Sequence, residues 1–191
     1  MNQKLALGYQ LEFSRKSNNL SFSNDDTIFK NIITIDIKNN IGILLYSIRM
    51  NEGDCIRLLD YITAYLYDFF DWGDTCDIKL SLSTTTATKY PIIHFQNITK
   101  QICENENNVT YYNKSLEEYR YHEMSILEAD MNNPNSMIKI LTIPMSCSEV
   151  EEFVYMLYFN GLMDLVLPEE LLNKLDEIIA RIFGENWFNW G

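Results

Sequence analysis

Residues 33–70 read ITIDIKNN IGILLYSIRM NEGDCIRLLD YITAYLYDFF, and the change of period inside this stretch decides the fold. Ile33, Ile35 and Ile37 alternate with other residues, which is the period of a strand with one buried face. Lys38-Asn39-Asn40 supplies turn chemistry. Residues 41–48, Ile-Gly-Ile-Leu-Leu-Tyr-Ser-Ile, then read as a buried strand, so that 33–48 is a hairpin. At Asn51 the spacing changes. Asn51 suits an N-cap, and Glu52 and Asp54 fall in a first turn, where the helix dipole favours anions. Ile56, Leu59, Ile62, Leu66 and Phe69 recur at steps of three and four, which predicts a helix from about 52 to 70, ended near Gly73.

The same reading extends outward in both directions. Leu5, Leu7, Tyr9, Leu11 and Phe13 alternate as a strand, and residues 14–27, rich in Ser and Asn, read as a loop. Residues 78–82 and 90–95 read as strands. Ser115-Leu116-Glu117-Glu118 matches a capping box and predicts a helix over about 116–129 with a narrow apolar face. Residues 132–135 form a turn, and 137–143 a strand. Ser148-Glu149-Val150-Glu151 is a second capping box, opening a helix to about 159. Pro168 opens the last helix, with Leu171, Leu175, Ile178, Ile179 and Ile182 on its apolar face. The expected fold is α+β, a mainly antiparallel sheet with about four helices packed on it, as a single domain over residues 1–191.

Composition is consistent with that size of fold. The chain has 191 residues, of which 47% are hydrophobic, enough to build a core at this length. No apolar run approaches the roughly 20 residues of a membrane span, and the N-terminus turns polar too soon for a signal peptide. The expectation is a cytoplasmic protein with no membrane partner. Cys55, Cys76, Cys103 and Cys147 contain no CxxC pair and are expected to be reduced and mostly buried. The abundance of Asn, Ile, Tyr and Lys fits the AT-rich coding of many bacteria and phages.

Catalytic motifs are scarce. Seven glycines allow neither GxGxxG nor GxxxxGK[ST], and there is no GxSxG elbow. His122-Glu123 starts like HExxH, but Ile126 stands where the second His belongs. With His94 and His122 as the two histidines, no local metal site forms. The expected pair is one histidine at the core edge and one at the surface. No cofactor, metal or catalytic residue is assigned. A Cys–His pair assembled in space is left open.

The charge pattern is more informative. The net charge is −12. Residues 111–191 carry five Lys/Arg against fourteen Asp/Glu, whereas residues 1–50 are slightly basic. Arg15-Lys16 is the largest positive feature, too little for a surface that tracks a nucleic-acid backbone, so direct nucleic-acid binding is disfavoured. Asp68, Asp71, Asp74 and Asp77 recur every third residue, with Trp72 among them, and no Lys or Arg lies between Arg57 and Lys79. These aspartates fall at the C-terminal end of the first helix, where the dipole disfavours anions. They are read either as a solvated acidic loop or as a face that meets a basic protein. The tail carries Trp187, Phe188 and Trp190, which either dock on the chain's own core or anchor a homodimer or partner.

In general character, by size and composition alone, such a chain resembles immunity proteins for toxin nucleases and phage inhibitors of nucleic-acid-handling defence enzymes. The leading expectation is an acidic inhibitory protein, not an enzyme, that blocks a basic partner. An oligomeric accessory protein is the alternative, followed by a hydrolase using separated carboxylates or a Cys–His pair. If residues 68–77 form the docking face, Asp71→Asn with Asp74→Asn should slow partner association and flatten its salt dependence. The melting temperature should hold or rise slightly, because repulsion at the helix end is relieved. Stopped-flow association and a thermal melt check both.

Overall fold

A computed structural model describes residues 1–5, 7–17, 31–72, 77–83, 88–98, 112–113, 118–119 and 121–184; within these, the side chains of 67–72, 112–113, 118–119 and 182–184 are outside the description. Strands β1 (Asn2–Lys4), β2 (Gln10–Ser17), β3 (Asn31–Lys38) and β4 (Leu44–Met50) form an antiparallel sheet in that order. Helix α1 (Glu52–Trp72) follows. Strands β5 (Asp77–Ser81), β6 (Lys89–Asn97), β9 (His122–Asp130) and β10 (Met137–Met145) form a second antiparallel sheet, ordered β10-β9-β6-β5. The short strands β7 (Tyr112–Asn113) and β8 (Glu118–Tyr119) pair with each other. Helix α2 (Cys147–Leu157) runs into a π turn at Tyr158–Leu162, and α3 (Glu169–Gly184) ends the described chain.

The fold is α+β and mainly antiparallel, as expected, with two corrections to the architecture. The strands form two four-stranded sheets, and the described residues hold three α-helices where about four were predicted. The missing helix is the one expected over 116–129. Residues 122–130 are instead the strand β9, bonded to β6 on one edge and β10 on the other. Leu127, Glu128 and Ala129 favour helix locally, but a central strand satisfies its backbone on both sides and buries Met124 and Ile126. Tertiary pairing outweighs a propensity difference of a few tenths of a kcal/mol per residue.

Three local boundaries also shift. The alternating run 5–13 is broken by a turn in which Gly8 adopts φ 85°, a conformation that favours glycine, and Gly8 N–H bonds Leu5 O at 3.0 Å. The hairpin turn is longer than Lys38-Asn39-Asn40. Asn39 Oδ1 accepts from the N–H groups of Ile41 (3.2 Å) and Ile43 (2.8 Å), so Ile41 and Ile43 lie in the turn and are exposed. The α2 cap is Ser146, not Ser148: Ser146 Oγ accepts Glu149 N–H at 3.2 Å, and Glu149 Oε2 accepts Ser146 N–H at 2.9 Å. The Asn51 cap stands as predicted, with Oδ1 accepting Asp54 N–H at 2.8 Å.

Buried apolar residues from both four-stranded sheets and all three helices form one cluster. Ile33, Ile35, Ile37 and Ile48 supply the first sheet's inner face, and Ile93, Phe95, Met124 and Ile126 that of the second. Each is worth roughly 1.5–3 kcal/mol of burial. Helix α1 lies between them, with Cys55, Ile56, Leu58, Leu59, Ile62, Tyr65 and Leu66 all buried. The π turn closes tightly on it: a Cβ at Gly161 would stand 3.0 Å from Cys55 Sγ and 3.5 Å from Ile33 Cγ2. Gly161→Ala should therefore destabilise by about 1–2 kcal/mol, an overpacking cost. With Cys55→Ala added, urea melts should show a loss smaller than the sum of the two single variants.

Candidate functional site

The sequence-predicted acidic residues are only partly placed. Asp68, Asp71 and Trp72 belong to the last turns of α1, and their side chains lie outside the description. Asp74 also lies outside the described residues, as do the tail residues Trp187, Phe188 and Trp190. Asp77 opens β5 and is exposed. Its Oδ2 sits 3.1 Å from His94 Nε2 across the β5–β6 ladder, so this aspartate has a nearby imidazole that the sequence did not disclose.

A better defined acidic surface lies on α3. This helix packs beside α1 in the same direction, with Glu170, Leu171 and Lys174 near Asn51–Arg57 and Arg181 reaching Asp60. Both of its cations lean toward α1 and stay partly exposed. Arg181 Nη2 donates to Asp60 Oδ1 at 2.8 Å, and Lys174 Nζ lies 3.5 Å from Asp60 Oδ2. Glu169, Glu170, Asp176 and Glu177 are exposed, along with Leu172, Asn173 and Ala180. Arg57 is also engaged, giving a hydrogen bond to Ser81 O at 2.8 Å and lying 3.8 Å from Asp54.

The first-turn acids of α1 have a different role from the one their position suggests. Glu52 and Asp54 are buried rather than solvated. Asp54 accepts from Ser83 N–H and Ser83 Oγ, each at 2.8 Å, and so ties α1 to the bend just after β5. Glu52 Oε1 accepts from Asn31 Nδ2 at 2.7 Å.

A second constellation is internal. His122, first residue of β9, is fully buried, whereas the sequence suggested one histidine at the core edge and one at the surface. Its Nδ1 lies 2.5 Å from Tyr65 Oη of α1, and its Nε2 lies 3.0 Å from Cys147 Sγ at the start of α2. Burial pushes His122 down to about 4, so the ring is neutral at physiological pH. No local motif could have revealed this grouping, because its members come from a helix, a strand and a second helix. The one sequence cue is a cysteine beside a capping box. Cys55, by contrast, is fully buried, and burial with Asp54 and Glu52 nearby drives its thiol upward. Among the described residues, no group of three or more His, Cys, Asp or Glu is arranged to hold a metal ion. No described helix is long and apolar enough to cross a membrane.

No protein-family model matches the chain, and no curated protein does. A solved structure, that of the plant transcriptional regulator PBF-2, is similar with a TM-score of 0.41 and 9% identity, over 94% of this chain and 95% of that one. A likeness this loose settles neither fold nor function.

Two buried groups give opposite pH signatures. The unfolded chain protonates His122 near 6.5, but the folded one only near 4. Its share of stability is full above the upper value and is lost as pH falls toward the lower. Half-burial pushes Glu151 up to about 7 from 4.5, so its ionisation costs stability as pH rises through that window. Urea midpoints across the range should show a flatter acid limb in His122→Gln. Glu151→Gln should gain up to about 1 kcal/mol above neutral pH, a modest figure because solvent screens a half-exposed carboxylate.

Proposed function

We propose that this chain is an acidic binding protein that blocks a basic, nucleic-acid-handling protein partner in the cytoplasm, in the manner of a toxin-immunity protein or a phage anti-defence inhibitor. The observation that carries this reading is the arrangement of α3. Its two cations are spent on Asp60, and Glu169, Glu170, Asp176 and Glu177 face solvent. An array of like charges whose neighbouring cations are already paired projects a field that attracts a cationic surface and speeds encounter. Asp68 and Asp71 in the last turns of α1, the helix that α3 accompanies, and Asp77 at the start of β5 add to the acid load. The cost is self-repulsion, which a protein of net charge −12 tolerates only with a well-filled core.

A second reading, an oligomeric accessory protein, is favoured by one specific observation. Leu44 and Leu45 at the start of β4, with Ile43 in the turn before it, and Met137, Ile138 and Ile140 on β10 are exposed, and both strands end their sheets. Tyr46 Oη donates to Glu128 Oε1 at 3.0 Å, and Ile138 is the cross-strand neighbour of Glu128, so the two apolar stretches flank one bond. Exposed apolar edges invite pairing with another copy.

One experiment weighs both readings. Wild-type protein and a variant carrying Glu169→Gln, Glu170→Gln, Asp176→Asn and Glu177→Gln are used for affinity capture from the native host at low and high salt, with light scattering on each. A basic protein retained by wild type at low salt, with an association rate about tenfold lower for the variant, supports inhibition. Equal capture by both proteins removes the α3 face from the interface. A wild-type dimer that Ile138→Lys converts to monomer favours self-association.

A further inference from the structure

We propose that Cys147 is a nucleophilic thiol site, held as thiolate by His122 and the start of α2, that takes small neutral electrophiles at neutral pH. Cys147 is the first residue of α2, immediately after the Ser146 cap. Thiolates are stabilised at helix N-termini by the dipole. This position alone would not make a site. The second element is the chain of contacts Tyr65–His122–Cys147, at 2.5 and 3.0 Å.

The proton order along that chain follows from hydrogen-bond donor strength, in which a phenol O–H exceeds a thiol S–H. A phenol is a much stronger hydrogen-bond donor than a neutral imidazole N–H, so Tyr65 O–H donates to His122 Nδ1. The ring's own proton is then on Nε2 and points at Cys147 Sγ. An N–H aimed at Sγ from 3.0 Å favours the anionic sulfur over the neutral thiol, because a charge-assisted hydrogen bond is the stronger one. Burial keeps His122 neutral, so it acts as a fixed donor rather than as a base.

The charged groups around the thiol limit this effect without reversing it. On α2, Glu149 shares the first turn, but its carboxylate accepts the Ser146 N–H. Glu151 lies half-buried further along the helix and is held toward its neutral form. On β9, Glu123 projects to the opposite side of the strand from His122 and accepts from Gln96 Nε2 at 2.9 Å. From α1 the facing group is Tyr65, and β1 contributes the neutral Gln3 against Glu149 O. Cys147 is half-buried, which admits a small reagent, whereas Cys55 is sealed in the core.

The reaction with an α-haloamide has a simple balance. The thiol proton leaves to solvent as the thiolate forms. Sγ attacks the halide-bearing carbon, the S–C bond forms as the C–I bond breaks, and iodide departs with the electron pair. His122 keeps its Nε2 proton throughout. Tyr65 and His122 are positioning residues here.

The test is iodoacetamide alkylation followed by tryptic mass spectrometry, in which the 140–174 peptide contains Cys147 alone among the cysteines. Its rate should titrate with a midpoint below about 7.5, against about 8.5 for an ordinary thiol, while Cys55 stays unlabelled in the folded protein. Tyr65→Phe should raise the midpoint by about one unit, because the ring proton is then free to move to Nδ1. A Cys147 midpoint at or above about 8.5 in wild type overturns the proposal. An unchanged midpoint in a Tyr65→Phe variant that still melts cooperatively does so as well. If that variant does not fold, the wild-type profile alone decides.

Discussion

Every layer of this molecule is packed against a helix with very little wet surface. Most helices bury one stripe, but α1 buries Cys55, Ile56, Leu58, Leu59, Ile62, Thr63, Tyr65 and Leu66, and leaves Tyr61 and Ala64 as its exposed positions before residue 67. The first sheet meets it through β3 and β4, the second through β5, and α2, α3 and the π turn close the remaining sides. Seven buried apolar side chains on one helix, among its described positions, amount to a large share of the apolar driving force, at roughly 25 cal/mol for each Å² removed from water. The helix also sets the distance between the sheets, since each must reach the same cylinder. A row of rings follows from that arrangement. Phe13 meets Phe153 at 5.6 Å, Phe153 meets Phe95 at 5.8 Å, Phe95 meets Tyr65 at 6.4 Å, and Tyr65 meets His122 at 5.5 Å. The row joins both sheets, α1 and α2 through edge and tilted contacts that add to area burial.

Burying a helix so completely takes polar groups inside with it, and each needs a partner. Thr63 Oγ1 returns its proton to Leu59 O at 2.9 Å, so the hydroxyl is satisfied within the helix. Asp54 is held by Ser83 and Glu52 Oε1 by Asn31, while Glu52 Oε2 is buried without a hydrogen bond. His122 finds Tyr65 and Cys147. The titration behaviour of the interior is therefore a by-product of the packing: the burial that stabilises α1 also drives Cys55 upward and His122 downward. Chemistry at Cys147 depends on the same fact, because His122 can be a neutral donor only where its charged form is excluded.

The electrostatics divide between paired cations and unpaired acids, both at the surface. Lys38 pairs with Glu12, and Lys174 and Arg181 converge on Asp60. Arg15 donates to Met163 O at 2.7 Å, joining β2 to the end of the π turn. These cations hold elements together, and the acids that remain on α3 face water. Such a distribution is costly for stability and useful for encounter, which is why it is read in terms of a partner.

Much of this was legible from residue order. Period-two spacing at Ile33–Ile37, the change of period at Asn51 and the apolar stripe of α3 each report a local choice that burial enforces, and each stands in the structure. The charge asymmetry was legible too, because it is a property of composition. Residues 122–130 were misread because Leu127, Glu128 and Ala129 suit a helix, and only pairing with β6 and β10 makes a strand the better state. Ile41, Ile43 and Leu44 were misread because apolar character does not say whether a partner layer exists to cover it. The grouping of Tyr65, His122 and Cys147 was beyond local pattern altogether. Their positions are 57 and 25 residues apart, and nothing short of the packing of α1 against β9 and α2 brings them within hydrogen-bonding distance. Local sequence determined which face of each element must leave water; the tertiary structure alone decided which faces met, because that choice rests on contacts between segments remote in the chain.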